Sequence, residues 1–402
     1  MQLTITGALR GETPPAVLRR MSLIALISFL TLIDLFAMQA LAPQLTAVYG
    51  VSTATMGLAL NLATVGMAVA GLSVAWFSDR IDRSLGIWLS LMLLAVPTAL
   101  LSVTTDITLF MVLRMMQGAC MATAFTLTMT YLSEECSITA AAGAMAAYIT
   151  GNVASNLFGR LLASEVAAGI GIADTFLVFA ALNMAGALIA IMVIGPRSAP
   201  QPAPQSTTAH APSGSPWAAW RTHLANPALR AAFAIGFLIL FVFVGIFTYV
   251  NFELVDPAIG LTPTSLGLVY FVFLPSLVTT PLAGNFVARL GPRPLFWVSS
   301  ALSVGGVALT MTGDLVAILA GMAVIAVGTF QMQAAATAFV GRAATTNRAA
   351  ANGLYLTSYY VGGLAGAVVI GQAYDIGNWT AAAWVTIVAL ASAALLARQL
   401  RA

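Results

Sequence analysis

Two ionisable side chains sit where the chain is otherwise apolar. Asp34 interrupts the run Met21–Leu41, and Arg114 interrupts Ile107–Tyr131, which reads ITLFMVLRMMQGACMATAFTLTMTY. Each run is long enough to cross a bilayer, which takes ~20 apolar residues as a helix. A guanidinium in hydrocarbon costs at least ~2.5 kcal/mol on insertion scales, so Arg114 must face a partner or a wet cavity. Asp34 is the obvious partner the chain offers. It lies seven residues before Leu41, and Arg114 lies seven after Ile107. If those two ends share one side of a bilayer, both groups sit roughly 10 Å inside it. A carboxylate–guanidinium contact, direct or through water, then needs no distortion. The other acidic residues fall in tails, loops or span ends, and no histidine lies in an apolar run. Asp34 is therefore the candidate proton carrier: burial disfavours its charged form, and a nearby guanidinium favours it. Two readings fit the pair. One is a site that loads and releases a proton as access changes sides; the other is a static ion pair locking two helices.

Little else in the sequence could carry chemistry. All 16 basic residues are arginines, which removes Schiff-base and lysine general-base chemistry. The histidines, His210 and His223, fall in a hydrophilic stretch. Cys120 and Cys136 are 16 residues apart on or near one apolar run, roughly 24 Å if helical, too far for a disulfide. No phosphate loop, nucleophile–base set or metal-ligand cluster is present, so no enzyme activity, cofactor, metal or nucleic-acid partner is expected. Met111 and Met115 place two thioethers on one helix face, a pair that could suit Cu(I), though methionine more often serves as flexible apolar filler.

These residues need a membrane scaffold. Of 402 residues, 60% are hydrophobic and 7% charged, whereas a soluble domain carries about 25% charged residues. Such a chain cannot cover a water-facing surface. Twelve spans are predicted, near 21–41, 55–77, 85–104, 107–131, 139–163, 172–194, 228–250, 264–287, 295–312, 315–340, 350–373 and 379–397. The first fits an uncleaved span better than a signal peptide, because its apolar run is too long and carries Asp34. The expected organisation is a cytoplasmic tail at 1–20, a six-helix bundle at 21–194, a linker at 195–227, a second bundle at 228–397 and a cytoplasmic end at 398–402. The linker holds APQPAPQSTTAHAPSGSP, a flexible composition, followed by Trp217, Trp220 and Arg221 at a membrane interface. With both termini inside, Arg10, Arg19, Arg20, Arg80, Arg83, Arg197, Arg221, Arg230, Arg289, Arg293, Arg342, Arg348, Arg398 and Arg401 are all cytoplasmic. Only Arg114 and Arg160 remain, both within spans, while acids such as Asp106, Glu165, Glu253 and Asp375 fill the outer loops. This bias is the positive-inside pattern.

The two halves echo each other at an offset near 210. Arg80 pairs with Arg289, Gly118 with Gly328, Tyr148 with Tyr359 and Gly151 with Gly362. Such an ordered repeat is a mark of two related bundles. Here the chain resembles the major facilitator superfamily over nearly its whole length. That family's loop signature after span two, Gly-x-x-x-Asp-Arg-x-Gly-Arg-Arg, corresponds to Ala75 through Ser84, with Asp79, Arg80 and Arg83 matching and Ala75, Asp82 and Ser84 departing. The second half keeps Gly284, Arg289, Gly291 and Arg293. Arg114-Met115-Met116-Gln117-Gly118 is similar to the Arg-containing span-four motif of the family's proton-coupled exporters. Gly151 through Arg160 has the glycines of the exporters' span-five motif without its proline.

The resemblance implies an all-α fold of twelve transmembrane helices in two pseudo-symmetric six-helix bundles, working by alternating access. It implies a monomeric, multi-pass protein of a bacterial inner membrane whose partners are protons, a small-molecule substrate and lipid. The expected function is proton-coupled export of small amphipathic or drug-like molecules, with Asp34 and Arg114 as the coupling pair. The alternative is a proton symporter that imports a nutrient or anion held by Arg114. A central cavity is expected from Met38, Gln117, Met121, Phe241, Gln331, Tyr355 and Tyr359, with Phe233, Phe237, Phe243 and Phe247 on the same apolar run as Phe241. Asp79, Arg80, Arg83, Glu134, Glu135, Arg289 and Arg293 would form a cytoplasmic gate. Arg160, placed near the outer surface, either reaches headgroups or Glu165, or forms an outer gate. Gly143, Gly151 and Gly159 in span five, with Gly362, Gly363 and Gly366 in span eleven, would meet across the halves, for rocking or for static packing.

Overall fold

Prolines set several helix starts and breaks. The computed structural model describes residues 14–77, 82–135, 138–194, 216–344 and 348–400, and among them there is no strand. Helix α1 (Pro14–Ala40) opens on two prolines, whose missing N–H groups would be unpaired in a first turn anyway. It therefore begins inside the stretch expected as a tail. A short helix α2 (Ala42–Tyr49) follows and ends on Gly50 in the left-handed region. The first half continues with α3 (Thr53–Phe77), α4 (Arg83–Leu100), α5 (Ile107–Glu135), α6 (Ile138–Ile170) and α7 (Ile172–Ile194). After α8 (Pro216–Ala225), which carries Trp217 and Trp220, the second half opens with α9 (Pro227–Val255).

The eighth expected span is a segmented rod. It comprises α10 (Pro263–Val269), a 3₁₀ turn at Tyr270–Phe273, α11 (Leu274–Thr279), a second 3₁₀ turn at Thr280–Leu282 and α12 (Ala283–Leu290). Pro275 and Pro281 each withdraw a backbone donor there, and the neighbouring turns tighten. Then come α13 (Pro292–Thr310), α14 (Leu315–Ala343) and α15 (Arg348–Leu396). The last holds two successive passes: Gly377 and Asn378 leave helical geometry between them, and Asn378 has φ +53°. Eight of the described helices are long and apolar enough to cross a membrane. The element order is consistent with twelve passes once α6, the segmented rod and α13 are counted and α15 is counted twice.

Glycines let helix backbones meet. Such long contacts include α1 with α6 in the first half and α9 with α15 in the second. In the first, Gly151 lies on the Ala25 backbone and Gly159 on Ile33; in the second, Gly362 lies on Phe237 and Gly366 on Phe241. The small-residue stripes of spans five and eleven thus seat each helix on its own half, which corrects the expectation that they meet each other. Across the halves, α3 packs on α15 and α6 on α10. There Gly57 and Gly371 make room for Tyr249, and Gly267 faces Ser164. The end at which α1 finishes, where these crossings lie, is termed the distal end.

The glycine contacts can be tested directly. Gly151→Val and Gly362→Val drive a side chain into backbone and should each cost about 1–3 kcal/mol, read as a lower unfolding midpoint in detergent. Gly71 faces open space, so Gly71→Ala should leave the midpoint at or above wild type.

Candidate functional site

Asp34 and Arg114 are both fully buried in the first half, at matching height on α1 and α5. They meet through the Asp34 main chain and a relay of side chains, not by a direct carboxylate–guanidinium hydrogen bond. The guanidinium Nη1 donates to the Asp34 backbone carbonyl (3.3 Å) and to Gln117 Oε1 (2.7 Å). Its Nε and Nη2 both donate to the Leu60 carbonyl of α3, at 3.0 and 2.9 Å. The Asp34 carboxyl is held from the other side, where Asn183 Nδ2 of α7 donates to Oδ2 at 2.7 Å. Asn183 Nδ2 also donates to Thr98 Oγ1 of α4 (3.1 Å), which accepts from Gln117 Nε2 as well (2.7 Å). A relay Asp34–Asn183–Thr98–Gln117–Arg114 therefore ties α1, α7, α4 and α5 together. The second carboxyl oxygen, Oδ1, has no hydrogen-bond partner among the described residues.

Arg160 differs from its expected position. It is fully buried, so it does not reach the headgroups, and Glu165 is exposed. Its Nη2 donates to Gln39 Oε1 of α1. The guanidinium lies over five rings: Tyr270 at 4.7 Å, Phe273 at 4.8 Å, Phe247 at 5.4 Å, Phe36 at 5.5 Å and Phe243 at 5.8 Å from their centroids. Polar contacts between the halves cluster beside it. Asn61 Nδ2 donates to Thr248 Oγ1 (3.3 Å) and Asn251 Nδ2 to the Gln39 carbonyl (2.8 Å), while within the second half Tyr270 donates to Asn251 Oδ1 (2.5 Å).

A small cavity of about 30 Å³ lies between the halves. It is lined by Phe36, Asn152, Asn156, Ile239, Leu240, Phe243, Thr329, Phe330, Gln333 and Tyr359. Tyr359 is the one residue of the expected cavity found there. Met38 and Met121 are buried in the apolar core of the first half, and Gln117 is spent in the relay. Phe241 stacks on Phe237 and Tyr355 on Tyr359, while Gln331 Nε2 donates to the Thr279 carbonyl at 2.5 Å. Periodicity could not separate the face of a helix that meets its own bundle from the face that meets the other half. The sequence reading also passed over Asn183, Thr98, Gln39, Asn251, Asn152 and Asn156, although the last two stand four residues apart in line with Arg160.

Much of the expected cytoplasmic gate lies outside the described residues: Asp79, Arg80 and the side chains of Glu134 and Glu135. Asp82, a departure from the loop signature, caps α4 by accepting from the Leu85 N–H at 2.9 Å. Arg83 opens α4. Arg289 is exposed in the last turn of α12. Arg293 Nε donates to the Leu400 carbonyl at 2.9 Å, a contact within the second half. Among the described residues there is no His, Cys, Asp and Glu cluster that could hold a metal.

Comparison with known proteins agrees with this architecture. The Major Facilitator Superfamily matches over residues 24–256 and 252–401. An "Uncharacterized MFS-type transporter YybF" of Bacillus subtilis is 25% identical over 92% of this chain and 88% of its own length. The "Inner membrane transport protein YnfM" of Escherichia coli is 25% identical over 82% of this chain and 77% of its own. A crystal structure of a bacterial homologue of the human lysosomal transporter Spinster, inward-facing and unoccupied, superposes with a TM-score of 0.76 at 15% identity, covering 97% of this chain and 98% of that one. The chain belongs to the major facilitator superfamily. It is a multi-pass membrane transporter of a small-molecule substrate, not an enzyme.

The relay makes a stability prediction. Asn183→Leu strips Asp34 Oδ2 of its donor and leaves Thr98 with one partner fewer. It should lower stability by about 1–3 kcal/mol, measured as a reduced unfolding midpoint in detergent, with Asn183→Asp less disruptive at low pH than at high pH.

Proposed function

We propose that this protein is a proton-coupled antiporter that exports small amphipathic molecules, with Asp34 as the group that carries the proton. The observation that carries this reading is the state of that carboxyl. It is fully buried, its Oδ1 has no partner, and the nearby guanidinium donates to its backbone rather than to its carboxylate. An acid held this way is cheap to bury neutral and expensive to bury charged. Gain and loss of a proton therefore change how well the first half packs. Arg114 serves as a fixed positive charge in the same relay. An importing role for Arg114 as an anion site has less support, since each of its nitrogens already donates to protein.

Proton and substrate occupy separate places in this scheme. Asp34 looks into the first half, whereas Phe36, two residues on, lines the cavity between halves. Movement of α1 links them, in place of direct competition at Asp34. The bundles 21–194 and 228–397 rock about the cavity as two bodies joined by 195–227. With both termini cytoplasmic in a bacterial inner membrane, the distal end faces outward. The crossings at Asn61–Thr248 and Asn251–Gln39 support a state closed on that side, as in the inward-facing Spinster homologue. Asp79, Arg80, Arg83, Glu134, Glu135, Arg289 and Arg293 serve the opposite closure, Arg160 belongs to the outer one, and one chain suffices.

The test uses sealed vesicles containing the purified protein, an imposed pH gradient and fluorescent amphipathic anions, cations and neutral compounds. Wild type should move at least one class against its gradient. Asp34→Asn should fall to the protein-free background while keeping the wild-type elution profile. Full gradient-driven transport by Asp34→Asn would overturn the assignment.

A further inference from the structure

Among the described residues Arg160 is a charge without a counter-charge. Its guanidinium is fully buried, and among the described residues Nε and Nη1 have no hydrogen-bond partner. Its one polar contact is the neutral amide of Gln39. Buried charges in proteins are normally paired or hydrogen-bonded on every face, and ring faces alone return only part of the lost hydration. Arg114 shows the contrast, since all three of its nitrogens donate to protein oxygens. Nη2 gives one of its two hydrogens to Gln39 and keeps the other to form, with the bare nitrogen on that edge (Nε or Nη1), an open planar fork, the geometry that takes a carboxylate or phosphate through two parallel hydrogen bonds.

The surroundings are built for a guest with an apolar body. Asn156, Arg160 and Ser164 follow at four-residue spacing along α6 and so share a face. Asn156 Oδ1 and Ser164 Oγ are also buried and unpartnered. Phe36 and Phe243, which cover the guanidinium, also line the cavity between the halves, with Asn156 beside them. The charged fork, the polar stripe and the aromatic wall are thus continuous with the cavity between the two halves.

We infer that Arg160 is the substrate's anion anchor, and that the transported class consists of small organic anions, carboxylates or phosphate esters with an aromatic or aliphatic body. This deepens the transporter reading given above and rests on it, but it is independent of the proton assignment to Asp34. The anion engages the open edge of the guanidinium, Nη2 together with Nε or Nη1. Its apolar part lies between Phe36 and Phe243, and Asn156 orients a polar substituent. In the state described here the rings stand where that body would go, so binding displaces them from the guanidinium as the cavity widens.

The experiment measures thermal unfolding of the full chain purified in detergent. The probes are benzoate, 1-naphthoate, decanoate and phenyl phosphate, each set against its neutral amide or alcohol. At least one anion should raise the wild-type midpoint where its neutral counterpart does not. Arg160→Gln should weaken that effect about 10-fold or more in ligand concentration. Arg160→Lys keeps the charge but not the fork, and should retain a reduced response. Asp34→Asn should still respond to the anion and not to its neutral counterpart, whatever the size of the response, which separates a failure here from a failure of the proton assignment. If no anion exceeds its neutral counterpart in wild type, the inference is overturned without reference to any variant. The same holds if an anion's effect persists undiminished in Arg160→Gln.

Discussion

An ionisable group inside a bilayer must be satisfied by the protein, because no solvent will do it. Among the described residues three charged side chains are buried in the spans, and each is treated differently. Arg114 is satisfied by main-chain carbonyls of α1 and α3 and by Gln117. Asp34 has one oxygen held and one bare. Arg160 has one nitrogen held, two bare, and five rings around it. The degree of satisfaction sorts the roles. A fully bonded guanidinium has nothing to gain from a ligand and acts as a brace between helices. A half-bonded carboxyl can change protonation with little rearrangement. A cation with bare donors in a cage is stable only relative to having no anion at hand.

Helix α1 carries both incomplete sites. Successive residues on a helix are turned by about 100°, so Phe36 projects nearly opposite to Asp34. Asp34 accordingly meets α7 and the relay inside the first half, while Phe36 and Gln39 meet Arg160. A change at either site acts on the same rod. Gly151 and Gly159 seat that rod on α6 with backbone contact, and α6 itself bears Arg160. The α1–α6 pair is therefore the unit through which protonation of one residue can reach the anion-facing residue without any contact between the two.

How much of this was readable beforehand depended on rarity. A lone charge in an apolar run is conspicuous, and counting inward from the span ends placed Asp34 and Arg114 together. Neutral polar residues are not conspicuous. Thr98, for example, also satisfies itself by donating to the Leu94 carbonyl one turn back, so nothing in its sequence context marks it as a relay member. Arg160 was put near the surface because span five was taken to end at 163. Helix α6 continues to Ile170, and those extra turns carry the guanidinium deep into the protein. The glycine stripes announced close packing without naming a partner. The loop signature was legible, yet its residues fall largely outside the described ones.

The aromatic run of α9 shows why the two halves need each other. On sequence alone those phenylalanines could face lipid, neighbours or substrate. Phe243 and Phe247 instead turn toward a cation that belongs to the other half, joined by Tyr270 and Phe273 from a 3₁₀ turn. That turn exists because Pro275 disrupts the regular ladder just beyond it, which lets two rings from one short stretch reach the same guanidinium. Cation–ring contacts are attractive but weak beside hydration, of order 0.5–2 kcal/mol each. Separation of the halves at the distal end would exchange the four contacts from the second half for water around Arg160 and leave Phe36, which belongs to its own half. The two arrangements are then close enough in free energy for a bound anion to decide between them, a property that a tight ion pair at the same position would remove.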